Sequence, residues 1–127
     1  MISLDSPRQN HLLAALTEEE WERLVPRMEL RPMPLGHVLY ESGSALRHVY
    51  FPTTSIVSLL YVMEDGSSAE IAIVGNEGIV GIQLFMGGET TPSRGIVQSA
   101  GSAYRVAGAH LKDEFFRAGP LQRLLLR

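Results

Sequence analysis

The sequence predicts a mainly β domain, a double-stranded β-helix (jelly roll) flanked by short N-terminal and C-terminal helices. Residues 31–106 alternate short β-rich runs with Gly, Pro, Asp or Ser, which is typical of a roll or sandwich. On both sides of this region, apolar residues recur at helical spacing. The chain has 127 residues, the size of one domain. We therefore divide it into N-terminal helices (1–27), a β-roll (28–107) and C-terminal helices (108–127).

Two short helices are predicted before the roll. Their apolar residues lie three to five positions apart and are Leu12, Leu13, Leu16, Trp21, Leu24 and Val25. Thr17 precedes three glutamates, so its hydroxyl can cap the second helix while Glu20 returns the bond. Pro26 lies near the end of that helix. The apolar pattern then changes from helical spacing to alternation.

The roll contains six candidate strands, over residues 38–40, 48–51, 55–63, 69–74, 95–99 and 103–106. Residues 64–67, Glu-Asp-Gly-Ser, separate two of them, and Asp-Gly favours the positive φ angles of a tight turn. This stretch predicts a β-hairpin.

Helical spacing returns after the roll. Leu111 and Phe115 indicate a first helical piece, and Gly119-Pro120 separates it from a second piece. The second piece has an apolar face formed by Leu121, Leu124 and Leu125.

Composition excludes several classes of function. Eleven Lys and Arg against fourteen Asp and Glu give a net charge of −3, so this chain alone should bind nucleic acid poorly. The absence of cysteine excludes disulfides and thiolate sites. No secretory signal pattern and no apolar run of membrane-spanning length occur, so we expect a cytoplasmic protein with no membrane partner.

Catalytic and metal-binding motifs are weak. The four histidines, His11, His37, His48 and His110, form no His-x-His pair, and no Gly-x-Ser-x-Gly elbow occurs. We expect no metal, no cofactor and no enzymatic activity. One alternative stays open: a cupin-like metalloenzyme, in which His37 and His48 converge with Glu41 or Glu70.

The glycine-rich stretch 75–97 carries the strongest hint of a ligand site. Its closely spaced glycines allow backbone amides to approach an anion, and Arg94 supplies a cation nearby. The same residues also describe an ordinary loop between strands. By itself the stretch leaves both interpretations open.

The stretch 35–43, Leu-Gly-His-Val-Leu-Tyr-Glu-Ser-Gly, the following Val49-Tyr50-Phe51 and the glycine-rich stretch together resemble the N-terminal cyclic-nucleotide-binding-like sensor domain of CRP/FNR transcription regulators. The resemblance extends from about Leu12 to Arg127. It implies an effector-sensing domain of a homodimeric regulator that binds DNA through a helix-turn-helix domain, which is absent from this chain. It also implies that Leu121, Leu124 and Leu125 begin the dimerisation helix. A stand-alone ligand-binding or interaction module is the other alternative.

Departures from the family pattern argue against a cyclic nucleotide as the effector. Members that bind one carry Phe-Gly-Glu, with the Glu on the ribose hydroxyl, and an Arg on the cyclic phosphate. Here Val80-Gly81 matches the start, but Ile82 occupies the Glu position, and an ungapped count places Ser93 at the Arg position with Arg94 one step later. An unpaired ribose hydroxyl costs about 1 to 3 kcal/mol of affinity.

We therefore expect no binding of cyclic AMP or cyclic GMP with ordinary sensor affinity, and the effector stays unidentified. Any remaining pocket is expected to contain Glu77, Gly81, Ile82, Gln83, Ser93 and Arg94. On a strand, the one-residue step from Ser93 to Arg94 reverses the direction of the side chain.

Overall fold

A computed structural model describes residues 6–43, 47–81 and 93–115. The pocket roles expected of Ile82 and Gln83 lie outside these residues. So does the dimerisation role expected of Leu121, Leu124 and Leu125.

The described chain is mainly β, which confirms the predicted fold class. Its elements, in order, are α1 (His11–Ala14), α2 (Glu18–Leu24), β1 (Met28–Met33), β2 (Val38–Tyr40), β3 (His48–Pro52), β4 (Ile56–Val62), β5 (Ser68–Val74), β6 (Ser93–Ser99), β7 (Gly101–Ala107) and α3 (Gly108–Phe115). A short 3-10 turn at Val25–Arg27 joins α2 to β1.

Two antiparallel sheets form the roll. One has the strand order β1-β7-β3, and the other has the order β2-β6-β4-β5. Between the sheets lies an inner core to which both contribute, formed by Met33, Tyr40, Val57, Val80, Val97 and Ala103. Burial of these side chains holds the sheets face to face.

A second core lies on the outer face of the three-stranded sheet. Side chains of α1, α2 and α3 pack there against β3 and β7, and the buried members are Leu13, Leu24, Val49, Phe51, Val106 and Leu111. The three-stranded sheet is therefore covered by helices on one face and faces the inside of the roll on the other.

Local signals in the sequence match the observed ends of the elements. Thr17 Oγ1 accepts a hydrogen bond from Glu20 N at 3.3 Å, and Thr17 N donates to Glu20 Oε1 at 3.3 Å, which is the predicted capping box. In the predicted hairpin between β4 and β5, Gly66 has a φ of +89°.

Strand β1 has no counterpart among the six candidate strands. Four of its six residues are exposed, and Pro32 interrupts its pattern. Strand β1 tolerates Pro32 because it lies at the edge of its sheet. Proline has no N–H to donate, and on an edge strand that missing donor need not break a hydrogen bond of the sheet. Its alternation is weak because only Met33 is buried.

Asn10 connects the N-terminal helices to the roll through hydrogen bonds of its side chain. Its side chain is fully buried, and Nδ2 donates to the carbonyl oxygens of Pro52 and Gly78, each at 2.8 Å. Its Oδ1 caps α1 by accepting from the amides of Leu12 and Leu13. The side chain of Asn10 therefore joins α1 to the end of β3 and to Gly78 of the glycine-rich stretch.

We predict that Asn10→Ala lowers the free energy of unfolding by about 2 to 4 kcal/mol. The substitution removes a helix cap and leaves two carbonyl oxygens without their donor. Urea unfolding measures the loss. Asn76→Ala is the control, because its side chain is exposed and its backbone carbonyl still accepts from His11 N, so a change within about 0.5 kcal/mol is expected. Equal effects of the two substitutions would contradict this role.

Candidate functional site

The start of the glycine-rich stretch forms a polar cleft. Glu77 Oε1 accepts from Gly75 N at 3.1 Å, so this exposed carboxylate closes a local turn. The cleft has a volume of about 280 Å³ and is lined by Thr53, Thr54, Ser55, Ile56, Gly75, Asn76 and Glu77. Its hydroxyls are engaged, since those of Thr53 and Ser55 donate to the carbonyl oxygen of Ser102. Of the expected pocket residues that the structure describes, only Glu77 lines this cleft.

Gly81 lies against β3. Val80 and Tyr50 exchange backbone hydrogen bonds of 2.8 and 2.9 Å, which fasten this part of the chain to β3. Gly81 has a φ of +107°, and a Cβ atom added there would lie 3.2 Å from the carbonyl oxygen of His48. Both the backbone conformation and the close approach favour glycine at this position.

The side chains of Ser93 and Arg94, consecutive residues of β6, lie on opposite faces of its sheet. Ser93 is buried and Val97 belongs to the inner core. Between them, a Cβ atom on Gly95 would lie 2.7 Å from the ring of Tyr40, another inner-core residue. These alternate positions face the inside of the roll, so Arg94 lies on the outer face.

Arg94 forms an ion pair with Glu41 on that outer face. Its Nε lies 3.0 Å from Glu41 Oε1, without hydrogen-bond geometry, and its Nη2 donates to Oε2 at 3.3 Å. Glu41 directly follows the inward-facing Tyr40, which accounts for its outward direction. The carboxylate already compensates the charge of Arg94.

A different arginine lies on the inner face of the three-stranded sheet. Arg105 of β7 is opposite Glu29 of β1 on one side and Tyr50 of β3 on the other. Its Nη2 donates to both oxygens of Glu29, at 3.0 and 3.2 Å. Its buried Nε has no hydrogen-bond partner among the residues that the structure describes. Burial opposes the charge of Arg105, but hydrogen bonds to Glu29 and Tyr50 outweigh it and raise the pKa of the guanidinium.

His48, at the start of β3, lies in a positively charged environment. Partial burial lowers the pKa of its imidazole, and the charge of Arg105 lowers it further. Arg47 and Arg31 act in the same direction, while Glu29 alone opposes them. The imidazole is therefore held more in its neutral form than an exposed histidine.

Glu29, Tyr50 and Arg105 are not among the pocket residues expected from the sequence. The sequence does indicate that Arg105 and Ala103 share one face, because they lie two positions apart in the candidate strand 103–106. Which face is the inside of the roll depends on sheet packing.

Residues 6–43, 47–81 and 93–115 contain no group of three His, Asp or Glu side chains arranged to hold a metal ion. Within the same ranges, no helix combines the length and the apolar character needed to cross a bilayer.

Comparison with known protein families gives one match. The family model described as the cyclic nucleotide-binding domain matches residues 30–117. This range contains the whole described roll except the first two residues of β1. No curated protein sequence matches the chain significantly.

Solved structures of transcription regulators have a similar fold. The N-terminal domain of a transcriptional regulator from Streptomyces coelicolor A3(2) is 26% identical, with a TM-score of 0.69 over 97% of this chain and 86% of that chain. The sensor domain of the regulator DNR from Pseudomonas aeruginosa gives a TM-score of 0.78 at 14% identity, over 94% and 80% of the two chains. For the Thermus thermophilus catabolite activator protein, the TM-score is 0.72 at 18% identity, and this chain covers 55% of that protein.

We predict that acidification destabilises the fold through His48. Its folded pKa lies below the ordinary value of 6.5, so the unfolded chain takes up protons more readily as the pH falls. This contribution to stability is therefore fully present above pH 6.5 and is lost as the pH falls towards the folded pKa. Urea unfolding between about pH 5.5 and 7.5 measures the slope.

The His48→Gln variant should show a smaller loss of stability over the same pH range. Substitution of the exposed His37 by Gln controls for the removal of a histidine. A wild-type stability that rises on acidification, or a slope that His48→Gln leaves unchanged, would refute this account.

Proposed function

Because this chain belongs to the cyclic nucleotide-binding domain family, we propose that it is the effector-sensing domain of a CRP/FNR-type transcription regulator. The observation that carries the proposal is the family match over residues 30–117. The likeness to the N-terminal domain of the Streptomyces regulator, which extends over 97% of this chain, supports it. The family is regulatory, so we propose no catalytic role.

The proposed effector is a small molecule other than a cyclic nucleotide held by the usual contacts. The ion pair between Arg94 and Glu41 supports this, because it holds Arg94 on the outer face of the roll. Arg94 is the arginine nearest in sequence to the family's phosphate-binding position. A phosphate at that position inside the roll would be near Ser93 and out of reach of Arg94. Val80-Gly81 is followed by Ile82, which offers no carboxylate to a ribose hydroxyl.

We propose that the intact regulator is a cytoplasmic homodimer and that DNA binds to a domain beyond this chain. The net charge of −3 supports this division, because this part has little positive charge to neutralise phosphates. The chain covers 55% of the Thermus catabolite activator protein. The proposed dimerisation helix includes Leu121, Leu124 and Leu125.

The structure offers a route by which an effector inside the roll acts on the following helix. Helix α3 begins directly after β7, and Gly108 N donates to the carbonyl oxygen of Arg47 at 2.8 Å. Leu111 of α3 is fully buried against the outer face of the same sheet. A small displacement of β7 on its inner face therefore changes the packing under α3.

We predict that cyclic AMP and cyclic GMP bind this chain with a Kd weaker than about 100 μM, a free energy of about −5.5 kcal/mol. Isothermal titration calorimetry with each nucleotide measures this. Micromolar binding would overturn the proposal that the usual contacts are lost. Binding abolished by Arg94→Ala but not by Arg105→Gln would show in addition that Arg94 turns inward to the ligand.

The proposed regulatory role predicts different behaviour for the chain and for the complete gene product. The complete gene product should be a dimer by light scattering and should retard a fragment of its own promoter in a band-shift assay at physiological salt. Residues 1–127 alone should not retard that fragment. Retardation by the 127-residue chain, or a gene product without a DNA-binding domain, would refute the proposal and favour a stand-alone module.

A further inference from the structure

The inner face of the three-stranded sheet contains a group of charged and polar side chains, here named the Arg105 cluster: Glu29, Arg31, His48, Tyr50 and Arg105. Strand register places them on one face. Glu29, Arg105 and Tyr50 form one row across β1, β7 and β3. Arg31 lies two residues after Glu29, and His48 lies two residues before Tyr50, so both share the face.

This face is the inside of the roll. Tyr50 packs against the inner core, and Ala103, two residues before Arg105, belongs to it. Neighbours directly opposite across antiparallel strands have Cβ atoms about 5 Å apart. The long side chains of the Arg105 cluster can therefore converge on one small group.

The charges of the cluster and its surroundings are unbalanced. Among the residues that the structure describes, Arg31, Arg47 and Arg105 act on His48 as positive charges, and Glu29 is the acidic group that opposes them. Burial is the main cause of the lowered pKa of His48, and the charges of the three arginines lower it further. Arg105 Nη2 donates to Glu29, but its buried Nε has no hydrogen-bond partner within the described part of the chain.

We infer that the Arg105 cluster binds the phosphate group of a small metabolite, with Arg105 as the central cation. The identification of that metabolite as the effector rests on the proposed function. A phosphate offers several oxygens, so it can accept from Arg105, Arg31 and the hydroxyl of Tyr50 together. The two negative charges of a phosphate also compensate the positive charge that Glu29 leaves unbalanced in and around the cluster.

The position of the cluster suits an effector. Val80 and Gly81 of the glycine-rich stretch lie beside β3, where Val80 is hydrogen-bonded to Tyr50 and Gly81 approaches the carbonyl oxygen of His48. Arg105 lies on β7, the strand that leads directly into α3. A phosphate bound there contacts the strand that precedes the proposed dimerisation segment.

The experiment uses His48 as a reporter of anion binding. The imidazole of the 127-residue chain is titrated by NMR in sulfate, a dianion whose charge is constant over this pH range, and in sodium chloride of equal ionic strength. A bound dianion favours the imidazolium, so sulfate should raise the pKa of His48. Inorganic phosphate and phosphorylated metabolites are then compared by thermal shift at constant pH.

Three variants give effects of different sign. Glu29→Gln removes the competing carboxylate and should tighten sulfate binding by about fivefold or more. Arg105→Gln should weaken it by about tenfold or more. Arg94→Gln, which alters the outer-face ion pair, is the matched control and should change the affinity less than about twofold. If Arg105→Gln does not fold, the exposed Arg31→Gln replaces it, with an expected loss of about threefold.

Identical His48 titrations in sulfate and chloride would overturn the inference and leave a structural row of charges across the sheet. So would weaker sulfate binding by Glu29→Gln, or equal effects of Arg94→Gln and Arg105→Gln. Failure of the anion site is distinguishable from failure of the proposed function. If the anion binds with the expected variant effects but the complete gene product does not bind DNA, the site is supported and the proposed regulatory role is rejected.

Discussion

The arrangement of the molecule depends on the buried carboxamide of Asn10. Its four hydrogen bonds reach α1, the carbonyl of Pro52 at the end of β3 and the carbonyl of Gly78. A buried amide is stable only when its donors and acceptor are satisfied, and here each partner belongs to the backbone. These bonds hold the N-terminal helices, the end of β3 and Gly78 of the glycine-rich stretch together.

The three-stranded sheet has two chemically different faces. Its outer face carries Val49, Phe51 and Val106 beneath the helices. At the corresponding end of its inner face lie Glu29, Tyr50 and Arg105. Alternation along β3 and β7 produces both faces from the same short segments. Helix packing on the outer face therefore restrains a sheet whose charged inner surface faces the roll.

This chain of the cyclic nucleotide-binding domain family carries two arginines on different faces of the roll. Arg94 lies close in sequence to the family's phosphate-binding position, yet it forms an outer-face ion pair with Glu41. Arg105 occupies the inner face instead. One fold can carry different binding chemistries, because the side chains that line a site can differ while the backbone arrangement stays the same. The fold therefore does not by itself identify an effector.

The sequence by itself determined the local features: the capping box at Thr17, the hairpin turn at Gly66 and most strands, because these depend on neighbouring residues and on periodicity. It did not predict β1, since an exposed edge strand containing Pro32 shows little alternation. Nor could it pair Arg94 with Glu41, 53 positions earlier, or place Arg105 inside the roll. Those facts were decided by the tertiary structure, because strand register and sheet stacking determine which face is the interior.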